Sequence, residues 1–244
     1  GFSPSAELAL VSLNSDQEKP ITHPLQHISG YTRFSPDGES ILIYGDDGQS
    51  GRGVFRVHLS TGESARVVAD PPHSFVRHAD WAGSNSAIFY MFNKGGDIWY
   101  KNLENGATKK IATDAASFAV SKEGGSLAIL SYDIVKGTAA LDILHVNRRN
   151  KHRILDLKLP DYISALTWTP GNRELIFSTG RRDSIDQPHV LWRIPSNGGA
   201  AANLGIETDY VQDIRVHPDG KRFAVSAFTD TSEIWVMENF LQQQ

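Results

Sequence analysis

The stretch Asp213-Ile214-Arg215-Val216-His217-Pro218-Asp219-Gly220-Lys221-Arg222-Phe223-Ala224-Val225-Ser226, followed by Glu233-Ile234-Trp235-Val236-Met237, decides the fold. An extended run ends on an apolar residue, a Pro-Asp-Gly turn reverses the chain, an alternating run follows, and a loop leads to a third run bearing an aromatic. Weakened copies recur upstream. Phe34, Trp81, Val120, Trp168 and Val216 each close an extended run, at spacings of 47, 39, 48 and 48 residues. A period of roughly 40–50 residues marks the blades of a propeller or the units of a solenoid.

The segments after these anchors explain the repeat. They read Ser-Pro-Asp-Gly (35–38), Ala-Gly-Ser-Asn (82–85), Ser-Lys-Glu-Gly-Gly (121–125), Thr-Pro-Gly-Asn (169–172) and His-Pro-Asp-Gly (217–220). Proline presets φ for the first corner of a turn, and Asp, Asn and Gly tolerate the left-handed conformation of a tight hairpin. After each turn comes a short branched or aromatic run: 41–44, 88–92, 127–130, 175–177 and 223–225. Such runs, bounded by turn formers, favour strand over helix. Third strands follow at Val54-Phe55-Arg56-Val57, Ile98-Trp99-Tyr100, Leu141-Asp142-Ile143-Leu144, Leu191-Trp192-Arg193-Ile194 and Ile234-Trp235-Val236, four of the five with a bulky aromatic. Fourth strands begin after polar turns at Thr61-Gly62, Asn105-Gly106 and Asn197-Gly198. Four antiparallel strands per repeat is the blade of an all-β propeller.

The expected organisation is one propeller domain over residues 1–244, with a partial blade at 1–24, full blades at 25–68, 69–113, 114–157 and 158–205, and a blade at 206–244 that lacks its fourth strand. Leu8 to His23 aligns without a gap onto Ile98 to Thr113, which makes the N-terminus the third and fourth strands of a further blade. A rival alignment sets Phe2-Ser3-Pro4 on Phe34-Ser35-Pro36 and makes Ala9 to Leu13 a second strand. Six blades is the preferred reading, because two third strands compete for one place in a five-bladed ring. Five-bladed closure, with Lys19 to His23 pairing onto the last blade, is the alternative. An open ring would expose strand edges and apolar faces.

The residues Phe34-Ser35-Pro36-Asp37-Gly38, Val216-His217-Pro218-Asp219-Gly220-Lys221 and Glu233-Ile234-Trp235-Val236-Met237 resemble the repeats of the TolB-like, or PD40 (WD40-like), propeller family. The middle repeats depart from the motif at Gly83-Ser84-Asn85 and Lys122-Glu123-Gly124-Gly125. The ending Trp235 to Leu241 is similar to that of propellers attached to bacterial winged-helix regulators or serine/threonine kinases, where the propeller is taken as an extracytoplasmic sensing or interaction domain. The resemblance implies a periplasmic or extracytoplasmic setting, with a cytoplasmic one the alternative. Nothing matches the separate α/β domain of TolB itself.

Composition narrows the function classes. Net charge is −4, with 24 basic and 28 acidic residues and no cysteine. That offers no nucleic-acid surface, no thiolate chemistry and no cysteine-bound zinc. No apolar run of about 18 residues is present, so membrane insertion by this chain is not expected. Residues 1–7 lack the features of a signal peptide, which places any export signal outside this chain.

No catalytic residues, cofactor or metal are expected. There is no Gly-x-Ser-x-Gly elbow. His23, His27, His73 and His78 lack metal-ligand spacing, although the loops entering the first two full blades place His27 and His73 on one rim. Asp46-Asp47-Gly48 lacks the calcium-loop spacing. The five tryptophans read as packing between blades. The candidate binding residues are basic side chains of the second-to-third strand loops, Arg52, Lys94, Lys136, Arg181 and Arg182, together with His27 and His73. In a propeller those loops converge on one face, where a positive ring would take a small anionic ligand or a protein partner. Asp46, Asp47, Asp133, Asp183, Asp186 and Asp230 in the same loops oppose that field. The expected function is thus a binding or sensing domain. The alternatives are an accessory propeller of a prolyl-oligopeptidase-like hydrolase or of a lyase of anionic sugars, and a purely structural assembly module.

Overall fold

The second strand of each full blade is apolar at successive positions because it is covered on both faces. Ile41, Leu42 and Ile43 are all buried, as are Ile88 to Met91, Leu127 to Leu130 and Leu175 to Phe177. A sheet wetted on one side would show alternation instead. Each such side chain contributes about 1.5–3 kcal/mol by leaving water.

The computed structural model describes residues 7–12, 15, 17–184 and 187–228. Those residues form only strands and turns. β1 (Leu8–Val11) pairs with β2 (Glu18–Ile21). β3 (His27–Phe34), β4 (Ser40–Asp46), β5 (Arg52–His58) and β6 (Ser64–Ala69) form the first four-stranded meander. The second is β7 (Val76–Trp81), β8 (Ala87–Phe92), β9 (Ile98–Asn102) and β10 (Thr108–Ala112). The third is β11 (Ser117–Val120), β12 (Ser126–Asp133), β13 (Thr138–His145) and β14 (Asn150–Lys158). The fourth is β15 (Asp161–Trp168), β16 (Glu174–Arg181), β17 (His189–Pro195) and β18 (Ala202–Thr208). β19 (Tyr210–Val216) pairs with β20 (Phe223–Phe228). The expected third strand at 234–236 lies outside the described residues. The architecture is an all-β propeller of antiparallel sheets.

Five apolar clusters join successive sheets. Ile21 and Leu25 meet Ile41, Ile43 and Phe55. Leu42 and Val54 meet Ala79, Trp81 and Ile88. Phe89 and Met91 meet Phe118 and Ile129. Leu130 and Leu141 meet Trp168 and Phe177. Ile176 and Leu191 meet Val211 and Ile214. Trp81 and Trp168 also donate their indole N–H groups to main-chain oxygens of the preceding blade, Arg33 O at 3.0 Å and Ala119 O at 3.1 Å. Trp99 and Trp192 pack against the same interfaces, while Trp235 lies outside the described residues. Phe34, at the equivalent anchor, is 57% exposed.

The pairing of β1 with β2 bears on the N-terminal alignment. Ala9 opposes Pro20, Leu10 opposes Lys19 and Val11 opposes Glu18. Trp99 opposes Lys110, Tyr100 opposes Lys109 and Lys101 opposes Thr108. These are the same pairs displaced by 90 residues, as the ungapped alignment of Leu8 to His23 on Ile98 to Thr113 requires. Among the described residues Glu18–Ile21 pairs with β1 rather than with the last sheet.

The first-to-second strand turns share one chemistry. Asp37 accepts the Glu39 N–H at 3.0 Å, and Asp219 accepts the Lys221 N–H at 2.8 Å. The two departures from the motif have a steric cause. A Cβ on Gly83 would lie 2.2 Å from the Glu123 carbonyl carbon, and one on Gly124 would lie 2.0 Å from Ala82 O. The two turns meet backbone to backbone, so the second and third repeats give up the proline turn for glycine. Gly124→Ala is therefore expected to cost about 1–2 kcal/mol for its left-handed backbone and a further ~1–3 kcal/mol for the clash. Gly106→Ala, at φ +73 with open space around it, should carry only the first cost. Denaturant unfolding of the two variants checks the difference.

Candidate functional site

Two groups of polar side chains stand out, one on the propeller axis and one at the loop face. The axial group comes from the inner strands β3, β7 and β19, one residue before each anchor or close to it. Arg33 is 8% exposed. Its guanidinium lies 3.2 Å from Asp213 and 3.6 Å from Asp80. Arg215 reaches Asp213 at 3.1 Å and Asp80 at 3.8 Å. Two carboxylates and two guanidiniums thus link the sheet of β19 to the first and second meanders, far from it in sequence. Burial pushes the Asp80 carboxyl up to about 6, against the pull of Arg33, and burial likewise raises Asp213. His78, stacked on Phe118 at 4.3 Å, is driven down to about 3 by burial and then by Arg33 and Arg77. The signal in the sequence was a charge at the position before the anchor in three repeats: Arg33, Asp80 and Arg215.

The loop face carries the expected basic residues, and the structure gives them different surroundings. Arg52 lies 3.7 Å from Asp46, and Lys136 lies 2.9 Å from Asp133. Arg181 is held by Asp183 at 2.9 Å and Asp161 at 3.6 Å. Lys94 is exposed in the β8–β9 loop, and among the described residues it and Arg182 have no carboxylate partner. His27 is the first residue of β3, and His73 sits exposed in the β6–β7 loop at φ 59. Asp47 caps its own loop, accepting the N–H groups of Gln49 at 3.0 Å and Ser50 at 2.7 Å. Among the described residues no group of three or more His, Asp or Glu has metal-binding geometry.

Around Arg182 the structure assembles residues that the repeat pattern did not single out. Its guanidinium lies over Tyr132 at 4.8 Å and Tyr162 at 5.7 Å. Burial raises the Tyr132 phenol, with Arg182 opposing, and burial also raises Tyr162. His189 is 5% exposed. The Val211 N–H donates to its Nδ1 at 3.2 Å, so its Nε2–H faces the Tyr162 hydroxyl at 3.1 Å. A Cβ on Gly180 would come 2.4 Å from that Nε2, so only glycine leaves room for the ring. Ser164 Oγ lies 3.0 Å from Nδ1 and 2.5 Å from Ser178 Oγ. This is a serine beside a histidine, but Nδ1 already accepts a main-chain donor and Nε2 meets a phenol where a triad has a carboxylate. The histidine pins the fourth blade to the last sheet.

The same face exposes apolar groups: Val135 (98%) and Ile134 (77%) at the β12–β13 tip, Phe75 (46%) before β7, and Tyr210 (42%) at the start of β19.

The sequence matches no family model and no curated protein sequence. Solved structures share its fold. A putative TolB from Agrobacterium tumefaciens is 16% identical with a TM-score of 0.72, over 92% of this chain and 84% of that one. TolB from Acinetobacter baumannii is 18% identical with a TM-score of 0.62, over 82% of this chain and 49% of that one. This chain thus spans about half the length of the Acinetobacter protein. An oligogalacturonate lyase from Vibrio parahaemolyticus is 9% identical with a TM-score of 0.53, over 91% and 77%. The chain has the TolB-like β-propeller fold, and among its described residues no helix is long and apolar enough to cross a membrane.

The axial charges set a pH dependence. An aspartate that titrates near 6 when folded and near 3.9 when unfolded binds its proton more tightly in the native chain. Its contribution to stability is complete below about pH 4 and is lost as the pH rises through about 6. His78 acts in the opposite sense, lending stability above about 6.5 that is lost as the pH falls towards 3. Comparing wild type with Asp80→Asn isolates the first effect. From pH 4 to 6 the wild type should lose about 2 kcal/mol relative to the variant. Urea denaturation at several pH values checks this, and a flat difference contradicts it.

Proposed function

We propose that this chain is a single propeller domain over residues 1–244 that binds or senses a partner without catalysing a reaction, as the extracytoplasmic part of a larger bacterial regulator or envelope protein. The observation that carries the reading is the composition of the loop face. Ile134 and Val135 are exposed on the face that also carries Tyr210 and an arginine stacked on Tyr132 and Tyr162, a mixture typical of protein-binding surfaces and rare on idle ones. Arg182 is preorganised, so less side-chain entropy is lost when it meets an acidic group. The proposed contact set is Arg182, Lys94, Arg52, Lys136, Arg181, His27 and His73. Arg182 and Lys94 supply the charge free to meet a partner, and Ile134 and Val135 supply the apolar contact.

A second reading has one observation in its favour, the likeness to a lyase fold. In it the propeller is an accessory of a hydrolase or of a lyase of anionic sugars. Peptide display separates surface recognition from that role. Peptides selected on the wild-type domain should lose at least about tenfold in affinity on the variant Val135→Asp with Arg182→Ala. They should be unaffected by Lys221→Ala in the turn at the opposite end. Equal binding by all three proteins contradicts the assignment of the face.

A further inference from the structure

Beyond the loop face, the flank of the propeller carries a second feature. The third strand of each blade has a position that faces the preceding sheet and closes the gap between them. The ladders identify it. Phe55 opposes Ile43, Trp99 opposes Tyr90, and Trp192 opposes Phe177. In the third blade the residue at that place, opposite Ile129, is Asp142. Three blades fill the space with an aromatic ring, and one has there the smaller side chain of Asp142, 3% exposed.

Where the ring is missing, a cleft of about 420 Å³ opens between β10 and the β13–β14 hairpin. That volume is in the range of small-molecule sites. Its apolar lining is Ile111, Ile129, Leu144 and Val146. Its charged lining is Lys109, Lys110, Arg149 and Lys151 against Asp114 and Asp142. Asp142 is already neutralised, by Lys151 at 3.2 Å and by Arg153. Lys110 is held by Asp97 at 2.6 Å. Lys109 and Arg149 have no carboxylate partner among the described residues.

We propose that this cleft is a binding site for a small aromatic carboxylate. The ring occupies the place that Phe55, Trp99 and Trp192 fill in the other blades, against Ile129 and Leu144. The acid meets the exposed Lys109 and Arg149 at the mouth in charge-assisted contacts. Asp142 is matched by Lys151 and by Arg153, which Asp156 also holds, so the charge offered to a ligand at the entrance is that of Lys109 and Arg149. An aromatic amine meets the wrong charge there, and an uncharged aromatic leaves both cations unmatched.

The test uses the whole chain, with indole-3-acetate as probe and its uncharged amide, indole-3-acetamide, as comparison. Amide-resolved NMR titration to about 10 mM should shift signals of β10, β13 and β14 and leave the loop face still. Affinity should fall at least about tenfold for the amide and for the surface variant Lys109→Ala with Arg149→Ala. Asp142→Trp, which restores the ring, should abolish binding while its melting temperature stays at or above that of the wild type. If Asp142→Trp does not fold, the surface variant decides. No shifts in the cleft, equal binding of acid and amide, or undiminished binding by the surface variant or by folded Asp142→Trp would overturn the proposal.

Discussion

The structure depends on sheets that are apolar on both faces, each buried by its neighbours. No single meander could exist alone, because Leu42 and Ile43 point in opposite directions and both need cover. The stacking also fixes register. The indole of Trp81 reaches the main chain of Arg33, and that of Trp168 reaches Ala119, so the second and fourth blades key to the one before them at one height. Gly83 and Gly124 make the matching contact at the turns.

Once the sheets stand around an axis, their inner strands bring like positions together, and these need not be apolar. Arg33, Asp80, Asp213 and Arg215 meet there as a closed set of charges. Removing charges from water is costly, and their mutual attraction offsets that cost only when each has a partner. The raised carboxyl of Asp80 records the cost that remains. Charges consumed in this way are scaffold. Among the described residues, cations without a carboxylate partner lie where the blades end, at Lys94 and Arg182, and beside the blade that departs from the packing rule, at Lys109 and Arg149.

Much of the fold was legible in the sequence because turn chemistry and apolar runs are local. The Pro-Asp-Gly segments and the strands after them could be read directly, and the 90-residue displacement of Leu8 to His23 even anticipated the register of β1 on β2. The candidate site was less legible because it depends on which side chains converge. Arg52, Lys136 and Arg181 read as a ring of cations, yet each lies beside a carboxylate of its own blade. Tyr132, Tyr162, His189 and Tyr210 come from four strands and share no motif. Asp142 was visible as the one third strand without an aromatic, but only the ladder shows that it stands in the aromatic's place.

The central claim is that the axial charges tie distant parts of one propeller together. A double-mutant cycle between Arg33 and Asp213, which are 180 residues apart and 3.2 Å in space, tests it most directly. With Arg33→Met, Asp213→Asn and the double variant measured by denaturant unfolding, the account predicts a favourable coupling of about 1–3 kcal/mol. Strictly additive effects, with coupling below about 0.3 kcal/mol, would show that the first and last inner strands do not depend on each other and would contradict it.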